Sequence, residues 1–222
     1  MSYLTANGIP VSSGVVTIPR IGRPLAELRL GEEATLDIGE AVTLRFEDGT
    51  AYRTTVRRGG PGAGTTEVFL VGGSDGLSKI LPPKDYQGVP ASLIVRDLLT
   101  EAGEQPGELD LPTVFVRWAR RGGPAAEALK AVMERLPERA WRVLPDGTFW
   151  AGNETWPQGP DGAVVAEAAP QRGWFSLLPV PALQAGVILR GLWEGQTREI
   201  GRVERVIHQI GAKLRTAVYI GG

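Results

Sequence analysis

The chain has 222 residues, 42% hydrophobic and 22% charged, which places it among globular proteins with material for one or two domains and a real core. Its formal net charge of −1 supplies no bulk field for nucleic acid or an anionic membrane. Cysteine is absent and histidine occurs once, as His208, which excludes disulfide scaffolds, thiol catalysis, Cys-ligated zinc or iron–sulfur centres and every two-His motif.

In chain order, the first 72 residues read as short strands separated by turns. Val42, Leu44 and Phe46 alternate with polar residues up to Asp48-Gly49, and Tyr52, Thr54 and Val56 continue beyond it. A two-residue loop would set Leu44 opposite Arg53 and mix the faces. A three-residue loop over Asp48–Thr50 pairs Phe46 with Tyr52 and Leu44 with Thr54, so the spacing predicts a type I turn with a G1 bulge. Gly59-Gly60-Pro61-Gly62-Ala63-Gly64-Thr65-Thr66 resembles a phosphate loop in glycine content, but Thr65 stands where a P-loop has lysine and a strand follows instead of a helix. It reads as a mobile inter-strand loop. Val68–Val71 form the next strand, ended by Gly72-Gly73.

Two helices follow. Pro90 suits the first helical position and Gly103 the C′ position, with Ala91, Ile94, Val95, Leu98, Leu99 and Ala102 at helical spacing between them. The second starts at Pro124, carries Ala125, Leu129, Val132, Met133 and Leu136 on one side, and must end near Pro137. Trp141–Leu144, Pro145-Asp146-Gly147-Thr148 and Phe149-Trp150 make a hairpin signal. Further strands fit residues 162–168, 174–178, 185–192, 197–208 and 213–220. The fold class is therefore mainly β with two short helices (α+β), with strands before and after the helical segment. The segments 41–56 and 186–203 echo each other faintly, each running from an apolar strand through an acidic-Gly turn into a Thr/Arg-bearing strand.

Glycine and proline, 30 and 17, total 47 of 222 residues, about 21%, below the roughly 25–30% of low-complexity chains. The charge is uneven: residues 1–112 hold 10 basic and 15 acidic groups, net −5, and residues 113–222 hold 14 and 10, net +4. Such halves suit solvated surfaces, intramolecular pairing or head-to-tail contacts between subunits. The opening Met1-Ser-Tyr-Leu-Thr shows no secretory signal, and no apolar run reaches the ~18–20 residues of a membrane span. The expectation is a soluble protein made in a reducing cytoplasm, with no membrane partner and no specific nucleic acid.

Catalytic inventories are thin. His208 sits in a strand-like run and reads as a partly exposed structural histidine rather than a triad base. Glu154 and Asp161 are the only carboxylate pair worth weighing for a glycosidase, and acidic loop residues are commonplace. The sequon Asn153-Glu154-Thr155 carries no weight without a secretion signal. Trp118, Trp141, Trp150, Trp156, Trp174 and Trp193 all fall within 76 residues, from 118 to 193. They read either as core and subunit-interface residues or as a platform for sugars or bases. No residue is assigned a catalytic, cofactor-binding or metal-binding role, and no cofactor is expected.

The stretch Val68–Glu104, with Leu81-Pro-Pro-Lys-Asp-Tyr86-Gln-Gly88-Val-Pro90, resembles the bacteriophage baseplate hub proteins of the late-control-protein-D-like group, related to the hub part of type VI secretion spikes. Trp141–Pro157 is similar to that family's W-x-x-x-x-D-G-x-x-W-x-G hairpin. Val203–Gly222 resembles its closing strands, with His208, Gly211, Arg215 and Thr216 in familiar places. The resemblance implies a non-enzymatic homotrimeric ring, each subunit giving two barrel-like domains, so that three subunits present six modules to a hexameric tail tube and hold a trimeric spike on the other side. It divides the chain into an N-terminal barrel-like domain (1–76), a linker and two-helix segment (77–139) and a C-terminal barrel-like domain (140–222). Tube protein and central spike are the implied partners, and the implied location is the virion tail, assembled in the bacterial host cytoplasm. The alternative is a carbohydrate-binding tail or adhesin module with an exposed Trp row. A cell-wall hydrolase using Glu154 or Asp161 is a third reading.

Overall fold

The computed structural model describes residues 2–62 and 64–221. The first strands are β1 (Leu4–Ala6), β2 (Ile9–Pro19), β3 (Leu25–Leu30), β4 (Ala41–Phe46), β5 (Ala51–Gly62) and β6 (Thr65–Gly72). They pair in the order β1-β4-β5-β6-β3-β2, and β1 pairs back to β2, closing a six-stranded barrel. Period-2 alternation does the folding here: Ala26, Leu28 and Leu30 on β3, and Val42, Leu44 and Phe46 on β4, all point inward.

The middle segment holds β7 (Ile80–Leu81), β8 (Lys84–Pro90), α1 (Ala91–Ala102), β9 (Gln105–Leu109), β10 (Val114–Arg120), β11 (Gly123–Pro124), α2 (Ala125–Met133), β12 (Arg139–Val143) and β13 (Thr148–Asn153). The predicted α1 stripe is the buried face, residue for residue. Gly103 adopts φ 88°, and the Glu104 amide donates to the Leu99 carbonyl at 2.9 Å, closing the helix in the expected glycine motif. α2 ends at Met133, four residues short of Pro137, and single turns carry the chain on to bury Leu136.

The closing strands are β14 (Ala163–Ala169), β15 (Trp174–Leu177), β16 (Ile188–Trp193), β17 (Gln196–Ile210) and β18 (Arg215–Gly221). They run β17-β16-β14-β15-β18, and β18 pairs back to β17, closing a second, five-stranded ring. The rings meet where β2 pairs β17 antiparallel, from Gly14 opposite Ile210 to Pro19 opposite Arg205. One hydrophobic cluster runs through both, uniting Leu44, Leu70, Leu189, Val206 and Val218. The fold is thus the expected β-rich α+β architecture: two barrels with a helical segment between them in sequence.

The buried side chains of the middle of the chain form a cluster of their own. The second cluster spans Leu77 to Ala151, and Val143, Phe149 and Ala151 of the β12–β13 hairpin belong to it rather than to the C-terminal strands. The physical reason is cover for α1 and α2: β9 pairs parallel with β13, and the resulting three-stranded sheet supplies the surface the two helices need. This layer is tied to the first barrel by the Gly22 amide on the Trp141 carbonyl at 3.0 Å and the Arg53 amide on the Pro145 carbonyl at 2.8 Å.

Two local expectations are corrected. The β4–β5 loop has three residues, as predicted, but they are Glu47–Gly49: the Phe46 amide bonds the Thr50 carbonyl at 2.8 Å, and Leu44 faces Tyr52. The third loop position needs left-handed backbone, which Gly49 adopts (φ 90°) and the β-branched Thr50 would resist. The segment Gly59–Thr66 is not a loop along most of its length, because β5 and β6 stay paired from Gly59 opposite Val68 to Gly62 opposite Thr65. Ala63 lies outside the described residues.

Candidate interaction surfaces

Of the two carboxylates weighed from sequence, Glu154 is already engaged. The Arg142 guanidinium grips Glu154 with two hydrogen bonds, 2.5 and 3.1 Å, and lies over the Trp150 ring at 4.2 Å. A carboxylate so engaged is a structural anchor, while Asp161 is exposed and is not brought into that pair. Among the described residues no group of three or more His, Asp or Glu converges as metal ligands would.

His208 is fully buried, which corrects the expectation of partial exposure. A bulge between Val203 and Arg205 shifts the strand's parity, so that Val203, Val206, His208 and Ile210 all turn inward. Its ring meets Phe46 of the first barrel edge-on at 5.1 Å, and Nδ1 lies 3.1 Å from the Thr216 hydroxyl. Burial pulls its pKa down to about 4. Beside it, Gln184 Nε2 donates to the Tyr52 hydroxyl at 2.5 Å, and burial pushes that phenol up to about 12. These side chains fasten barrel to barrel.

None of the six tryptophans is fully exposed; all are half-buried. Trp141 stacks on Phe149 at 5.2 Å, Trp118 packs on Tyr86 at 5.7 Å, and Trp193 meets Phe175 edge-on at 5.2 Å. Arginines also lie over aromatic rings, and three of these arginines are on β17. Arg198 sits 4.0 Å over Trp193, Arg202 sits 5.1 Å over Trp156, and Arg205 sits 4.9 Å over Tyr219. Trp156 also receives Arg20, at 5.4 Å, on a backbone with φ 50°. That left-handed conformation is unusual for a bulky side chain, and it accompanies the ring's seat between two guanidiniums. Arg198 is ion-paired to Glu194, whereas Arg202 and Arg205 have no acidic partner among the described residues. This ladder was not legible from sequence, because it joins residues from three separate segments.

Two further surfaces stand out. The β3–β4 connection carries Glu32, Glu33 and Asp37, all exposed. It is strapped down by Ala34, which exchanges two 2.9 Å hydrogen bonds with the Thr66 hydroxyl, and by the Gly39 amide on the Val56 carbonyl at 2.8 Å. The β8–β10 ribbon presents Val114 and Val116, the latter 83% exposed. It is tied to α1 by polar contacts: Lys84 to Asp97 at 2.6 Å and to Glu101 at 2.7 Å, Arg120 to Glu101 at 2.5 Å, and the Tyr86 hydroxyl to Asp97 at 2.5 Å.

No protein-family model and no curated protein matches the sequence. Solved structures do share its fold. A 43 kDa tail protein of prophage MuSo2 from Shewanella oneidensis superposes with a TM-score of 0.75 at 9% identity, over 98% of this chain and 96% of that one. A tail protein from Neisseria meningitidis gives 0.67 at 11% identity, over 97% and 95%. An E. coli component of the type VI secretion system, described as structurally similar to bacteriophage T4 tail proteins, gives 0.71 at 9% identity, over 97% and 75%. The chain has the two-barrel fold of these proteins along nearly its whole length.

Proposed function

We propose that the chain is a structural, non-enzymatic component of a phage-type tail: a hub ring of three copies that joins a sixfold tail tube to a threefold central spike. The observation that carries this reading is the pair of closed barrels in one chain, locked by the β2–β17 ladder and the Phe46–His208 contact. Three copies of a two-barrel chain offer six barrel modules, which is what a match between threefold and sixfold symmetry requires. The fold shared with tail proteins supports the same reading. The tube and spike are the proposed partners, and the finished tail, assembled in the bacterial host cytoplasm, is the proposed location.

The carbohydrate-binding alternative calls for a coplanar, solvent-facing row of tryptophans. The half-buried rings packed on other aromatics or covered by arginine do not favour it.

The test is the mass and shape of the purified protein. Light scattering is expected to give three times 23.8 kDa, about 71 kDa, and electron micrographs a ring with three strong and six weak repeats. A monomer at every concentration, with tryptophan fluorescence that responds to polysaccharide, would overturn the hub reading in favour of the alternative.

A further inference from the structure

The second barrel carries a ladder of three arginines, two of them without an acidic partner among the described residues, and the first barrel carries acids without a basic one. Arg202 and Arg205 stand on the outward face of β17, each over an aromatic ring, at 5.1 Å and 4.9 Å. Stacking holds the flat of a guanidinium and leaves its N–H edge free to bond a carboxylate. Arginines and aromatics are also the residues enriched at protein interfaces. Arg198 extends the row over Trp193. On the first barrel, Glu32, Glu33 and Asp37 project from a connection that its bonds to Thr66 and Val56 keep from swinging. None of the three acids has an ion-pair partner among the described residues.

Barrel topology keeps the two patches of one chain apart. Around the first ring the order is β2-β1-β4-β5-β6-β3, so β5, one of the two strands that anchor the acidic connection, lies across the ring from β2. The second barrel joins at β2. The acidic connection leaves β3 at Leu30, opposite Val11, whereas Arg205 of β17 lies opposite Pro19, so the acids and the arginines sit toward opposite ends of β2.

We infer that the Arg198–Arg202–Arg205 ladder of one copy docks the Glu32–Asp37 segment of a second copy. Two different patches meeting in this way make a heterologous contact, the type that builds a ring when its rotation closes after three copies. The inference rests on the trimeric reading above and assigns its interface. The contact is charge-complementary, so it sets register and encounter rate as well as affinity, and salt weakens it.

The experiment compares four full-length proteins by light scattering over a range of concentration and salt: wild type, Arg202→Glu/Arg205→Glu, Glu32→Lys/Glu33→Lys, and the chain with all four changes. Circular dichroism checks that each is folded; all four residues are at the surface. The expected result is a wild-type trimer that loosens with salt, dissociation of either reversed protein at concentrations at least about tenfold higher than for wild type, and recovery when both patches are reversed together. A wild-type trimer whose mass is indifferent to the reversals overturns this interface and leaves the ring reading standing. The interface is overturned equally if the arginine variant keeps its mass but loses binding to duplex DNA. A wild type that stays monomeric throughout overturns both.

Discussion

The Phe46 ring and the His208 imidazole meet edge-on, 5.1 Å between centroids and 64° between planes, across the seam that joins one barrel to the other. The contact buries a titratable group in the middle of an apolar cluster, and it gives the seam a dependence on pH. Burial lowers the His208 pKa to about 4 from its ordinary 6.5, with Asp48 a smaller opposing influence. In the unfolded chain the imidazole takes up its proton near 6.5, so this group's contribution to stability is complete above pH 6.5. It shrinks as the pH falls and is lost by about pH 4. The full loss is about 3 kcal/mol. Urea midpoints measured from pH 7.5 to 4.5 are expected to fall more steeply for the wild type than for His208→Leu. Parallel curves would show that the imidazole does not titrate as its burial dictates.

Glu104 follows the α1 stop and reaches back to the chain entering the middle segment. It accepts the Ser74 amide at 3.0 Å and the Leu77 amide at 3.2 Å, and Arg23 stands 3.7 Å away. Its side chain is 1% exposed. Removing it strands two amides and leaves Arg23 with Asp75, 3.3 Å away, as its remaining carboxylate, whereas glutamine keeps an acceptor. Glu104→Ala is expected to destabilise by about 3 kcal/mol or more and Glu104→Gln by less, read from chemical denaturation. Equal losses for the two would put the cause in packing rather than in hydrogen bonding.

Asp48-Gly49-Thr50 and Asp146-Gly147-Thr148 build the same turn twice. In each, the aspartate accepts the threonine amide at 2.9 Å and the glycine has a φ near +90°, at 90° and 84°. Surroundings distinguish them: a Cβ on Gly49 meets nothing within 4 Å, while one on Gly147 comes within 3.3 Å of Arg53 Cβ. Gly49→Ala is expected to cost about 1 kcal/mol, the backbone penalty alone. Gly147→Ala should cost more, and thermal melts of the two variants make the comparison.

How much of this was legible in sequence depends on how far apart the contacting residues lie. The α1 stripe from Ala91 to Ala102 and its Gly103 stop are local and fully legible. The β4–β5 turn class is legible too, but its position differs by two residues across the ladder, because a shift of two keeps the apolar faces matched and only the backbone demand that Gly49 meets decides between the loops. The burial of His208 was hidden by a single extra residue at the β17 bulge. The two barrels were expected through the family resemblance, but the seam between them and the arginine ladder were out of reach, since β2 with β17, and Trp156 with Arg20 and Arg202, are brought together only by the completed fold.

Arg142 is the hinge of another expectation. It clamps Glu154 and shields Trp150. Arg142→Ala is expected to shift tryptophan emission to the red and to lower stability by about 2 kcal/mol, because the carboxylate it leaves is nearly buried. Glu154→Gln should also lower stability and leave no separate signature in assays of cell-wall hydrolysis. Loss of a measurable turnover in that variant would revive the hydrolase reading.

The strand β2 divides its length between partners: Ile9 and Pro10 pair with β1, and Gly14–Pro19 pair with β17. The first barrel is therefore sealed along half of one strand by residues from the far end of the chain. A fragment that stops before β17 would expose Gly14–Pro19 as a bare edge, open to strand addition from other molecules. Ribosomal synthesis delivers that edge well before its cover. The nascent protein passes through an aggregation-prone interval that ends only when the last barrel emerges, and a gene split between the barrels would make that interval permanent.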